Sequence, residues 1–224
     1  KWEHCGVAVD EDGRLVSAVD LFMRPVRDED GNPVTVAAVG SVATLESARK
    51  QGLSGRLLER ALEVMAEEGC AWSHLFTGTH HHYARYGWFE TPLASRSGVL
   101  RSDLGGQVVY EVLSDAGIDT WLGQFAAWWA DQNARRPLVH VRSPQYWRAA
   151  IRPRMGQGSI HRNRKVLLVH ELGTPCGYVV MDSNEDKPDL IECAGDVELG
   201  IRAFAQYVGS GPVEFDLPFD EPWN

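Results

Sequence analysis

The sequence predicts a mixed α/β protein built twice over on a largely antiparallel sheet. Three observations carry that prediction. A meander of three apolar segments opens the chain, a Leu-rich helix and a short strand follow it, and a similar order returns in the second half. The 224 residues are 44% apolar and 24% charged, ordinary globular usage that excludes disordered and fibrous classes. The formal charge of −9, with both halves acidic, argues against a general nucleic-acid binder and suits a cationic ligand. No apolar run approaches the roughly 18 residues of a membrane helix.

Gly6–Val9 is apolar and stops at the turn Asp10-Glu-Asp-Gly13. Leu15–Met23 follows, then the turn Asp28–Pro33, then Val34–Thr44, whose lack of polar alternation predicts cover on both faces. Leu53, Leu57, Leu58, Ala61, Leu62 and Met65 recur at helical spacing up to Gly69. Trp72–Thr77 reads as a strand, and His80–Tyr86 as a short helix ended by Gly87. The stretch from Glu90 to Gly106 is less structured and contains the domain boundary, dividing residues 1–105 from 106–224. Beyond it lie an amphipathic helix over Ile118–Asn133, a second helix over Pro144–Ile151, and a hairpin of Val166–His170 and Gly177–Met181. Leu190–Cys193, the helix Val197–Val208 and the strand Val213–Leu217 close the chain.

The four cysteines, Cys5, Cys70, Cys176 and Cys193, form no CxxC pair and offer neither a zinc site nor a redox dithiol. A chain of this length needs no disulfide staples, which points to the reducing cytoplasm. His80, His81 and His82 are consecutive, so their imidazoles diverge, and no metal is expected.

The chemistry-bearing segment runs from Val42, Ala43 and Thr44 through Arg49, Lys50, Gln51, Gly52, Leu53, Ser54 and Gly55. A strand ends, a loop with Arg49 and Gly52 follows, and a helix begins. Small residues there let backbone N–H groups approach a pyrophosphate, and the helix N-terminus adds positive potential. The spacing excludes both the Walker A form and the dinucleotide fingerprint.

This segment resembles the acyl-CoA loop of the GCN5-related N-acetyltransferases, Arg/Gln-x-x-Gly-x-Gly/Ala. Arg49, Gly52 and Ser54 take its three places, with Ser54 departing from the usual Gly or Ala. Downstream, Tyr83-Ala-Arg-Tyr86-Gly87-Trp88 is similar to the family's Tyr-x-x-x-Gly-Phe stretch. The pairing with a second, degenerate copy resembles the enhanced-intracellular-survival (Eis-like) group, as does Arg142-Ser-Pro-x-Tyr-Trp147.

The resemblance implies the acyl-CoA N-acyltransferase fold and acetyl transfer from acetyl-CoA to a primary amine, without a metal. The backbone of Val42–Thr44 would bind the pantetheine arm between splayed strands. Lys50–Gly55 and Arg49 would surround the pyrophosphate, and Tyr83 would protonate the departing thiolate. The group's Ser-Glu pair is replaced by Gly78 and Thr79, its third domain is not expected here, and its C-terminal carboxylate does not transfer to Asn224. Residues 1–105 would be the acetyltransferase domain and 106–224 a copy lacking the cofactor loop. The family's opening strand and two substrate-facing helices would precede this chain, so Lys1 is not expected to be the native start.

The expected acceptor is a small-molecule or peptide amine, with neither nucleic acid nor membrane as partner and a homo-oligomer left open. The competing readings are a non-catalytic acyl-CoA-binding regulatory protein and a dimerisation module using Trp121, Trp128 and Trp129. Tyr86 and Trp88 are read as core. Arg152–Gly158 is excluded as a second cofactor loop because Pro153 holds the Arg place. The base is not assigned, since Val34–Thr44 carries no carboxylate. The nine basic residues among 135–165 (Arg135, Arg136, Arg142, Arg148, Arg152, Arg154, Arg162, Arg164 and Lys165) are read as pairing with acidic surface of the other domain.

Overall fold

The computed structural model describes residues 4–91, 96–100, 106–134, 136–151, 164–182, 188–209 and 211–215, with backbone alone at 96–100, 149–150 and 211–215. Lys1, Asn224, Arg135, residues 216–217 of the last strand and the Arg152–Arg162 stretch lie outside them. The chain divides into two compact units. One is Lys1–Pro92 with Arg135–Val141, and the other is Leu93–Ala134 with Arg142–Asn224.

In the first unit, β1 (His4–Val9), β2 (Leu15–Arg27) and β3 (Pro33–Thr44) form the expected antiparallel meander, and β4 (Trp72–His74) adds in parallel to β3. The turns that join the meander are set by Asp10 and Asp28, whose carboxylates accept from the backbone two and four residues on. The helix α1 (Leu53–Glu67) crosses from β3 to β4 and lays Leu58, Ala61 and Met65 on Val19, Leu21, Met23, Ala37 and Val39. The short α2 (His80–Ala84) follows β4. Residues 138–141 pair with Pro25–Arg27, on the stretch of β2 beyond its register with β1.

In the second unit, two strands arise where the sequence showed no clear pattern. β5 (Arg96–Leu100) lies inside the stretch read as unstructured, and β6 (Val109–Val112) is only four residues long. Both are too short for periodicity to show, and each depends on a distant partner. β5 pairs with β10 (Gly211–Phe215) and β6 with β7 (Arg164–Glu171). Between β6 and β7 stand α3 (Asp115–Gln132) and α4 (Pro144–Ile151). β7, β8 (Thr174–Asp182) and β9 (Asp189–Gly195) form a second meander, and α5 (Val197–Val208) leads from β9 to β10. The order meander, helix, strand therefore occurs twice, but the closing strand β4 joins its meander in a four-stranded sheet whereas β10 pairs with β5 in a two-stranded sheet.

Of the basic residues between 135 and 165, Arg142 corrects the expected pairing. Its partner, Glu192 of β9, belongs to its own unit. Glu192 accepts from both Arg142 terminal nitrogens, one at 3.0 Å, and from the Tyr178 hydroxyl. The guanidinium stacks on Trp129 at 4.2 Å and Trp147 at 4.6 Å. Burial disfavours the charge on Arg142, but the hydrogen bonds and charge of Glu192 outweigh it and hold the guanidinium protonated. Burial and then Glu192 push the Tyr178 phenol well above its ordinary value. On the Trp-rich helix Trp129 is buried, as are Phe125 and Ile118, while Trp121 and Trp128 are half-buried.

Candidate active site

The site starts with a defect in β3. The β2–β3 register passes from Ala18↔Ala43 to Asp20↔Gly40, so Ser41 and Val42 together face Val19. Ser41 takes φ 51, the left-handed conformation of a bulged residue. The signal in the sequence was Gly40-Ser41 in the middle of an otherwise apolar strand, and the sequence reading passed over it. Just before the bulge, the parallel pairing with β4 stops. It covers only Val36↔Trp72, Ala37↔Ser73 and Ala38↔His74, while β3 runs on to Thr44. The β4-side edge of residues 39–44 is thereby left without a paired strand among the described residues, and this unpaired stretch is the wedge between the two strands.

The last residues of β3 are fixed from the other side. The Ser17 hydroxyl donates to the Ala43 carbonyl at 2.9 Å and lies 2.8 Å from the Thr44 hydroxyl, and Leu45 N–H donates to Val16. Val42, Ala43 and Thr44 therefore form a rigid lip to the wedge.

A 3₁₀ turn at Glu46–Ala48 leads into the loop. Arg49 folds back, its Nε donating to the Thr44 carbonyl at 3.4 Å. Lys50 holds φ 64 and Gly52 φ 73, so the chain reverses through two left-handed residues before α1 begins. Lys50 in that region costs about 1–2 kcal/mol, a strain typical of ligand loops. Gly52 is the N-cap and supplies no side chain. The first i→i−4 bond is Arg56 N–H to Gly52 O at 3.1 Å, which leaves the amides of Leu53, Ser54 and Gly55 at the open end of the helix. With Arg49, Lys50, Gln51 and Gly52 all exposed, this end can receive an anion.

The matching junction in the second unit is built differently. Only Asp196 separates β9 from α5, and its carboxylate accepts from Leu199 N–H at 3.0 Å. A carboxylate already sits where an anionic ligand would bind.

The α2 region supplies the aromatic residues. Tyr83 is half-buried against the first-unit core, with its ring edge-on to Trp88 at 6.2 Å and to His82 at 5.1 Å. The Trp88 indole donates to the Ser73 hydroxyl at 3.0 Å, tying this segment to β4. Tyr86 packs on the first turn of α1, where a methyl group on Gly55 would overlap its hydroxyl oxygen. This Gly55–Tyr86 contact escaped the sequence reading, because the two residues are 31 positions apart and nothing local marks the pair. Gly78 and Thr79 precede α2, and the Thr79 hydroxyl lies 3.0 Å from that of Thr77.

His80 and His82 reach different partners. His80 Nδ1 lies 3.9 Å from Glu90, and His82 stands edge-on to Tyr83 and Tyr86. Among the described residues no cluster of His, Cys, Asp or Glu could hold a metal ion. His74, which the sequence reading passed over, sits at the last paired register of β4 between Trp72 and Phe76. Burial lowers its pKa below the usual imidazole value.

Comparison with known proteins bears on the fold. The family model of the acetyltransferase (GNAT) domain matches residues 3–90. A comparison with curated proteins found no match. Among solved structures, the fold is similar to that of a conserved protein from Enterococcus faecalis, at TM-score 0.69 and 16% identity, over 91% of this chain and 52% of that one. It is similar to a GCN5-related N-acetyltransferase from Kribbella flavida, at TM-score 0.65 and 18% identity, over 96% and 53%. It is also similar to Eis1 from Mycobacterium abscessus, at TM-score 0.61 and 17% identity, over 99% and 58%. The chain spans about half the length of these proteins. With its bulged β3, its open wedge and its side-chain-free helix start, the segment 3–90 matches the acetyltransferase (GNAT) domain model, and the chain shares its fold with solved GCN5-related N-acetyltransferases.

Proposed function

We propose that this protein transfers the acetyl group of acetyl-CoA to a primary amine, and that residues 1–105 do so while 106–224 form a copy without a cofactor loop. The observation that carries this reading is the combination of the β3–β4 wedge with the uncapped start of α1. The wedge is bounded by Val42, Ala43 and Thr44, whose backbone would bind the pantetheine arm. The amides of residues 50–55 and the Arg49 guanidinium would hold the diphosphate. Asp196 at the start of α5 supports leaving the second copy empty.

In the reaction the amine nitrogen attacks the thioester carbonyl carbon, the new C–N bond forms, and the C–S bond breaks. Tyr83 gives its phenol proton to the leaving sulfur, and the proton lost from nitrogen passes to solvent. The acidic chain would favour a cationic acceptor, a small molecule or a peptide. The proposed setting is the cytoplasm.

The test is thiol release from acetyl-CoA across a panel of amines, comparing wild type with Tyr83→Phe. The expected outcome is amine-dependent release in wild type, falling about a hundredfold in the variant while acetyl-CoA still binds. Equal turnover in the variant removes Tyr83 from the mechanism. No release with any amine, although acetyl-CoA binds, would favour a binding protein over an enzyme.

A further inference from the structure

The hydroxyl of Tyr86 makes no hydrogen bond that holds the fold among the described residues. Its ring is anchored, edge-on to His82 at 5.9 Å and among the residues that flank the first-unit core. A phenylalanine would serve that packing equally well. Yet among the described residues its oxygen has no hydrogen-bond partner, and room has been made for it. A Cβ on Gly55 would overlap that oxygen and lie 3.2 Å from Cζ and 3.8 Å from Cε1.

Gly55 is the third residue of α1 and is itself buried. Cα–Cβ bonds in a helix tilt toward its N-terminus, so an atom at the vacant Cβ position of Gly55 lies on the N-terminal side of its Cα. The Tyr86 hydroxyl therefore stands against Gly55 in the first turn of α1, whose amides at 53–55 have no i→i−4 acceptor. The sequence pairs the two features. Glycine at 55 removes the side chain that would fill the space, and tyrosine at 86 puts a proton donor into it.

We propose that Tyr86 is a further cofactor-binding residue, whose hydroxyl donates a hydrogen bond to the diphosphate of acyl-CoA at the start of α1. This rests on the acyl-CoA reading above. A neutral O–H donor beside backbone amides adds to an anion site without adding charge, and hydrogen bonds to charged groups are the stronger kind. Tyr86 and Tyr83 would then divide the work along the molecule, one at the diphosphate and the other at the sulfur.

The experiment is calorimetric titration of the full chain and its Tyr86→Phe variant with CoA, together with turnover of S-acetyl-pantetheine, which lacks the diphosphate. The expected result is about tenfold or greater loss of CoA affinity in the variant, with an unchanged melting temperature and unchanged turnover of the truncated substrate. Equal CoA affinity in the two proteins overturns the proposal and leaves the acyl-CoA reading standing. A loss of turnover with the truncated substrate overturns it too, since the hydroxyl would then act at the sulfur. If wild type does not bind CoA, both readings fall together.

Discussion

The contact between Gly55 and Tyr86 gives a quantitative test of how the first unit is packed. Gly55→Ala places a methyl group onto the Tyr86 hydroxyl oxygen, while the ring carbons stand further off, the nearest at 3.2 Å. Two opposing terms follow. A helical Gly→Ala exchange stabilises by about 0.4–1 kcal/mol, because it restricts the unfolded chain. Overpacking a filled site costs about 1–3 kcal/mol, because Tyr86 must leave its place. Since the obstacle is an oxygen at the tip of a ring held by His82 and the core, the second term wins, and a net loss of about 1–2 kcal/mol is expected. In a Tyr86→Phe background the oxygen is gone. The closest atom is then a ring carbon that needs to yield only a few tenths of an ångström, so the same exchange becomes neutral or stabilising there. The assay is a four-protein cycle of urea melts followed by circular dichroism, with a coupling of about 1–3 kcal/mol expected between the two sites. Gly55→Ala as stable as wild type, or equally destabilising in both backgrounds, would refute this account of the contact.

Other outcomes follow from the same structure. Gly52→Ala forces a side chain into φ 73, costs about 1 kcal/mol of stability, and weakens CoA binding in a titration more than its stability loss explains. Glu192→Ala strands the Arg142 guanidinium between Trp129 and Trp147, and a melt should show about 3–5 kcal/mol lost from the second unit. His74 has a folded pKa held below its unfolded value of about 6.5, so its contribution to stability is present above that pH. That contribution is lost as pH falls through the folded value. Melting temperatures taken from pH 7.5 to 5.0 should therefore fall less steeply for His74→Asn than for wild type.

Most of the fold was legible because its signals are local. The acidic turns around Asp10 and Asp28 mark the meander, and the three- and four-residue spacing of Leu58, Ala61 and Met65 marks α1. The spacing from Gly52 to Tyr83 placed a helix and a strand between the two motifs, and both are present. β5 and β6 were not legible, since each is held by a strand far away in the chain. The strands also ended elsewhere than expected. Trp72–Thr77 looked continuous, but pairing with β3 stops at His74.

The sequence by itself determined which residue types stand together along the chain: a glycine where the backbone must turn left-handed at position 52, and tyrosines four and one residues before Gly87. Those choices depend on neighbours within a few residues, and a linear reading reaches them. Only the tertiary structure decided where the bulge at Ser41 falls, that the wedge opens beyond Ala38 and His74, and that Arg142 spends its charge on Glu192 within its own unit. It also decided that Tyr86 lies on Gly55 with its hydroxyl at the start of α1. These depend on contacts between residues distant in sequence, fixed by how strands register and helices pack, and apart from the Gly40-Ser41 pair at the bulge no local pattern marks them.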